Sequence, residues 1–129
     1  MENKNDQKKV LVIDDDDNLR TVLTDKLNIS GFETDSAADG EEGLNKAFHF
    51  HPDIILLDML MPKMNGLEVL EKLREDKWGQ SVKVMMLTVL EDTNTVAQAV
   101  DKGTLAYVLK TDHNLDDVVK QVEEILNSQ

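Results

Sequence analysis

The chain has 129 residues, enough for one domain with its own core, and no cysteine, which excludes disulfides, thiolate metal sites and thiol catalysis. A formal net charge of −12, with no basic run longer than Lys8-Lys9, argues against direct binding of nucleic acid or an anionic membrane. No stretch reaches the roughly 20 apolar residues of a membrane span, and Met1–Lys9 lacks the apolar core of a signal peptide, so a cytoplasmic protein is expected.

Residues 1–7 offer nothing to bury and are expected to form a disordered tail before a domain over 8–127. Lys9 to Asp14 predicts a first strand. Leu19, Val22, Leu23 and Leu27 are spaced for one face of a helix, which Gly31 closes. A short, alternating second strand runs from Phe32 to Ala37, Asp39-Gly40 turns the chain, and a second helix covers Gly43 to Phe50 with Pro52 beyond its end. Asp53 to Asp58 is the third strand. A loop with Pro62 spans Met59 to Asn65, and Leu67, Val69, Leu70 and Leu73 mark a third helix. Val82 to Thr88 is the fourth strand, Thr95 to Lys102 a short fourth helix closed by Gly103, and Ala106 to Lys110 the fifth strand. The last helix carries the clearest stripe, Leu115, Val118, Val119, Val122, Ile125 and Leu126, with Asn114 as its N-cap. Strict alternation gives an α/β protein, (βα)5, with a doubly wound parallel sheet and helices on both faces.

Four of these apolar runs end in polar residues: Asp14-Asp15-Asp16-Asp17, Asp58, Thr88 and Lys110. If the strands are parallel, these ends meet at the sheet edge where open α/β folds bind ligands. Asp14, Asp15 and Asp58 offer the hard oxygen ligands that Mg²⁺ prefers, and two strand ends can deliver them to one point. A carboxylate such as Asp58 can attack phosphorus to give an acyl phosphate, provided a cation and an ammonium neutralise the donor. Lys110 is the candidate ammonium, and the Thr88 hydroxyl can donate to a phosphoryl oxygen. Asp16 and Asp17 read instead as solvated loop and helix cap.

The four runs, with Asp58-x-x-Met-Pro-x-Met-Asn-Gly66, Leu87-Thr88 and Ala106-Tyr107-Val108-Leu109-Lys110, resemble the receiver domain of two-component response regulators over about residues 8 to 127. The resemblance implies a flavodoxin-like fold with strand order 2-1-3-4-5 and a signalling domain rather than a turnover enzyme. Asp58 would be the phosphoacceptor, taking its phosphoryl group from a sensor histidine kinase or a phosphotransfer protein. Asp15 and Asp58 would bind Mg²⁺ (or Mn²⁺) directly, Asp14 through water, and Leu60 through its backbone carbonyl. Thr88 and Lys110 would hold the phosphoryl group, and Tyr107 would change rotamer as Thr88 moves. Output would pass to an unnamed downstream protein through the fourth helix, fifth strand and last helix, a face that also serves weak homodimers.

The chain departs from that pattern at three places. Thr111 stands where a proline follows the lysine, so a trans bond is expected after Lys110. Val89 stands where a small residue follows the threonine. Leu60 and Leu90, two beyond Asp58 and Thr88, are both apolar and cannot orient a hydrolytic water, which predicts slow self-dephosphorylation.

Other readings carry less. An aspartyl-phosphate hydrolase needs a second aspartate two residues after the nucleophile, where Leu60 stands. A nucleotide or flavin binder needs a glycine-rich loop after the first strand, where four aspartates stand. A degenerate receiver would lack residues that are all present here. With no output domain after the last helix, the expected output is a contact with another molecule or a step in a phosphate relay, and a receiver fragment of a larger regulator would look the same. His49 and His51 read as helix-end surface residues, Met85 and Met86 as core, and Trp78 as a loop residue that reports on the site only if it lies close.

Overall fold

The structure, a computed structural model, describes residues 7–88, 103, 106–109 and 115–127; side chains at 88 and 106–109 are not among what it describes. Its elements are β1 (Lys9–Ile13), α1 (Asp17–Ile29), β2 (Glu33–Ala37), α2 (Gly40–Phe50), β3 (Ile54–Asp58), α3 (Gly66–Glu75), β4 (Lys83–Thr88), β5 (Ala106–Leu109) and a C-terminal helix (Leu115–Asn127). The strands form one parallel sheet in the order β2-β1-β3-β4-β5. The expected fourth helix at 95–102, Lys110, Thr111, Asn114, Val89 and Leu90 lie outside the described residues, as does the expected tail except for Gln7, whose amide donates to Gly31 O at 3.0 Å.

Side chains of a strand alternate between faces, and the core divides accordingly. Leu11, Ile13, Ile55, Leu57, Val84 and Met86 pack with α2 and α3 on one face. Val10, Val12, Ile54, Leu56, Met85 and Leu87 pack with α1 and the C-terminal helix on the other. β3 is buried along its whole length, which explains its unbroken apolar run. The methionines at 85 and 86 are core residues, and Met59 and Met61 of the loop are buried with them. Among the described residues no helix is long and apolar enough to cross a membrane.

Several expected boundaries move. α2 begins at Gly40, three residues earlier than its apolar pattern suggests. Asp39 is not half of a turn but the N-cap, accepting the Glu42 N–H at 2.8 Å, and a cap outweighs the low helix propensity of glycine. β1 stops at Ile13, and β3 starts after Asp53, whose carboxylate accepts the Lys9 N–H at 2.7 Å. β2 does not alternate: it is a polar edge strand with only Ala37 buried, and Phe32 packs just before it. Val22 belongs to the expected apolar stripe of α1 but is 43% exposed; Leu23 and Leu27 carry the contact.

Trp78 sits at the N-terminal edge of the sheet, stacked on His51 at 4.5 Å between centroids and edge-on to Phe48 at 6.3 Å. His51 is an exposed helix-end residue, as expected: it caps α2 in the left-handed region (φ 50°), and it also covers the indole. β3 alone separates this cluster from Asp58 by about 13 Å, so tryptophan emission is no direct probe of that end.

Arg74, at the end of α3, donates to Gly79 O (2.7 Å), Val82 O (2.9 Å) and Gly103 O (2.9 Å), and burial lowers its pKa from the ordinary guanidinium value. It ties α3 to the segments that lead into β4 and β5. Arg74→Met keeps the apolar stem and removes these bonds; a loss of about 1–2 kcal/mol is expected in a thermal or urea melt. An unchanged midpoint would show that water satisfies the three carbonyls equally well.

Candidate functional site: an acidic pocket at the C-terminal edge of the sheet

The parallel register brings the strand ends together. Ile13 lies beside Leu57, Asp58 beside Leu87, and Thr88 beside Leu109. Asp14 and Asp58 are therefore neighbours on adjacent strands, with the Thr88 backbone on the far side of Asp58. Lys110 follows Leu109 in sequence. The position of Lys110 and the side-chain orientations of Thr88 and Tyr107 lie outside the described residues.

Asp14 is fully buried, Asp58 is 2% exposed and Asp15 is exposed at the rim; one carboxylate oxygen from each lies within 4.8 Å of the others. An octahedral Mg²⁺ with ligands at about 2.1 Å places neighbouring oxygens about 3 Å apart and opposite ones about 4.2 Å apart. The three carboxylates fit that ion with small adjustments or an intervening water. Three carboxylates converging on one point are the hard oxygen donors that suit a divalent metal.

The loop after β3 is folded tightly onto the strand end. Leu60 N–H donates to Asp58 Oδ1 at 3.2 Å, Met59 N–H to Leu87 O at 3.0 Å, and Gly66 N–H to Met59 O at 2.9 Å. Met64 N–H donates to Pro62 O at 2.7 Å across Lys63, which has φ 71°, the geometry of a γ-turn. Asn65 and Glu68 form a reciprocal capping box that fixes the start of α3. A Cβ on Gly66 would lie 2.4 Å from Asp58 O and 2.9 Å from Met59 Cα, so only glycine permits this approach of α3 to Asp58. The Leu60 side chain is 49% exposed on the rim.

The aspartates after β1 separate by environment. Asp14 N–H donates to Ala37 O at 3.1 Å, and Asp14 Oδ1 accepts the Asp16 N–H at 2.9 Å. Asp16 is the N-cap of α1, accepting the Leu19 N–H at 3.1 Å, as the helix-cap reading expects. Arg20, a residue the motif reading passes over, donates to Asp14 O at 2.7 Å and pairs with Asp17 at 2.6 Å. Its signal is present in the sequence: a basic residue three positions after an acidic one, at the start of a helix.

Residues 10–123 match a family model described as the response regulator receiver domain. A probable transcriptional regulator, ycf27 of Porphyridium aerugineum, is 38% identical over 104 residues, covering 81% of this chain and 42% of that protein. The chain spans about half the length of the curated relatives it matches. The chemotaxis response regulator CheY4 of Vibrio cholerae has a similar structure, with a TM-score of 0.85 and 28% identity, covering 92% of this chain and 98% of that one. So does the chain matched in a Borrelia burgdorferi CheX–CheY–BeF₃–Mg²⁺ complex, with a TM-score of 0.83 and 30% identity, covering 92% and 89%.

Proposed function

Because this chain belongs to the response regulator receiver family, we propose that Asp58 accepts a phosphoryl group from a phosphohistidine on a sensor kinase or phosphotransfer protein. A carboxylate oxygen of Asp58 forms the bond to phosphorus as the bond to the donor imidazole nitrogen breaks, leaving an acyl phosphate. Asp15 and Asp58 would hold Mg²⁺ directly, with Asp14 acting through water and the Leu60 carbonyl completing the protein ligands; an ion held there would supply positive charge to offset that of the phosphoryl oxygens. Thr88 donates its hydroxyl to a phosphoryl oxygen and Lys110 pairs with another. Movement of Thr88 opens space for Tyr107, and two packings of the face around β5 and the C-terminal helix exchange dominance to change a protein partner's affinity. An intermediate step in a phosphate relay uses the same chemistry.

The observation that carries this reading is the convergence of three carboxylates within 4.8 Å, two of them buried, at the edge where β1 and β3 end. The test is intact mass after incubation with acetyl phosphate and Mg²⁺. One added phosphoryl group is expected on the wild type and none on Asp58→Asn or in EDTA. A wild type that gains nothing, or a variant that gains as much, would end the reading.

Leu60 at the rim cannot orient a water toward the acyl phosphate, and Leu90 is equally apolar. Release of phosphate from Asp58 is therefore expected to be slow, and Leu90→Glu to hasten it. Decay of the wild-type phosphoprotein within seconds would contradict this.

A further inference from the structure

Four consecutive aspartates at one turn would repel one another and scatter, yet each is assigned a separate place. Asp14 is buried with one carboxylate oxygen bound by the Asp16 amide, Asp15 faces the pocket, Asp16 caps α1, and Asp17 lies outside. The side chain common to this sorting is Arg20. Its Nη1 holds the Asp14 carbonyl at 2.7 Å and its Nη2 holds Asp17 Oδ1 at 2.6 Å. The Arg20 side chain is only 18% exposed, whereas that of Asp17 is 81% exposed. An ordinary surface pair along one helix has no reason to bury its arginine.

We propose that Arg20 is a positioning residue for the cation pocket: its planar fork fixes the peptide after Asp14 so that Asp14 and Asp15 present their carboxylates toward Asp58, while Asp17 is drawn away. The proposal rests on the phosphoacceptor reading above and extends it to a residue outside the ligand set. A lysine cannot replace the fork, because one ammonium on a flexible stem does not hold two oxygens in a fixed plane. The same peptide lies inside the Asx-turn that Asp16 N–H closes on Asp14 Oδ1 at 2.9 Å, so the Arg20 bond to the Asp14 carbonyl acts on that turn.

Charge and positioning predict opposite signs, which makes the idea testable. As a point charge, Arg20 repels an incoming cation, and its removal would tighten binding. As a positioning residue it favours binding, and both its removal and its replacement by lysine weaken it.

The experiment titrates Mn²⁺ by electron paramagnetic resonance into wild type, Arg20→Lys and Arg20→Gln, with thermal midpoints measured alongside. Both variants are expected to lose affinity on the order of tenfold, the usual effect of removing a group that orients a metal ligand, with midpoints little changed. Lysine should fail to rescue. An Arg20→Gln protein that binds Mn²⁺ as tightly as wild type, or more tightly, overturns the proposal. Amide exchange at Asp16 in cation-free protein gives a second readout. It should be faster in both variants, and unchanged exchange overturns the proposal as well. If the wild type itself takes up no Mn²⁺, the phosphoacceptor reading falls, and the Asp16 amide decides the role of Arg20 alone.

Discussion

Asp58→Asn is expected to abolish phosphorylation and, in cation-free buffer, to make the protein more stable than wild type. Asp14 and Asp58 are both buried, and their carboxylate oxygens lie within 4.8 Å of each other and of Asp15. Two unit charges at that distance in a medium of effective dielectric about 20 repel by about 3.5 kcal/mol. Water at the exposed Asp15 side of the pocket and the ammonium proposed at Lys110 offset part of this. An asparagine keeps the shape and the oxygen that accepts from Leu60 N–H, and removes one charge. A gain of about 1–3 kcal/mol and a midpoint higher by several degrees follow. Mg²⁺ should reverse the comparison, since it stabilises the state that binds it by mass action and the variant binds it less well. Differential scanning calorimetry in EDTA and in Mg²⁺ measures both effects. An Asp58→Asn protein less stable than wild type in EDTA would mean that the pocket is already neutralised by its own groups.

Gly66→Ala should be the most damaging substitution outside the ligands. Its Cβ would lie 2.4 Å from Asp58 O and 2.9 Å from Met59 Cα, and both obstacles are backbone. Relief requires moving the first turn of α3 or the end of β3. The first breaks the capping box and the Gly66 N–H···O=C bond to Met59; the second displaces Asp58. A loss of about 2–3 kcal/mol is expected. Phosphorylation by acetyl phosphate should slow by tenfold or more, because a small misplacement of the nucleophile costs in-line geometry. Gly43→Ala is the control. Its Cβ meets only the side chain of buried Ile13, at 2.6 Å from Cδ1 and 2.9 Å from Cγ1 and Cγ2, so that side chain must repack while the backbone around Asp58 is untouched. It should cost about 1–3 kcal/mol and leave the phosphorylation rate near wild type. Equal rates in the two variants would show that the approach of Gly66 to Asp58 does not position the acceptor.

The sheet was legible in the sequence because β3 is buried on both faces and reads as Ile54-Ile55-Leu56-Leu57, a short apolar run of the kind a central parallel strand carries. The pocket was legible for the same reason: Asp14 and Asp58 are the first polar residues after such runs, and parallel register places them side by side. What escaped the sequence depended on contacts rather than on periodicity. Asp39 looks the same as a turn residue or as an N-cap until the Glu42 amide is placed against it. Val22 has the spacing of a core residue, yet the narrow contact of α1 is met by Leu23 and Leu27. The spacing of Arg20 from Asp17 is legible, but its bond to the Asp14 backbone carbonyl is one that no pattern of side chains reveals. The exposed helix-end place of His51 was legible, but its stacking on Trp78, 27 positions away in the chain, was not.

All of this chemistry requires that Asp14, Asp15 and Asp58 serve one cation. The direct measurement is a Mg²⁺ titration followed by backbone amide chemical shifts. Saturable changes at a single stoichiometry are predicted, concentrated at residues 14–17 and 58–61. Weak, unsaturable shifts spread over the acidic surface, with the amides around Asp58 unmoved, would contradict the account.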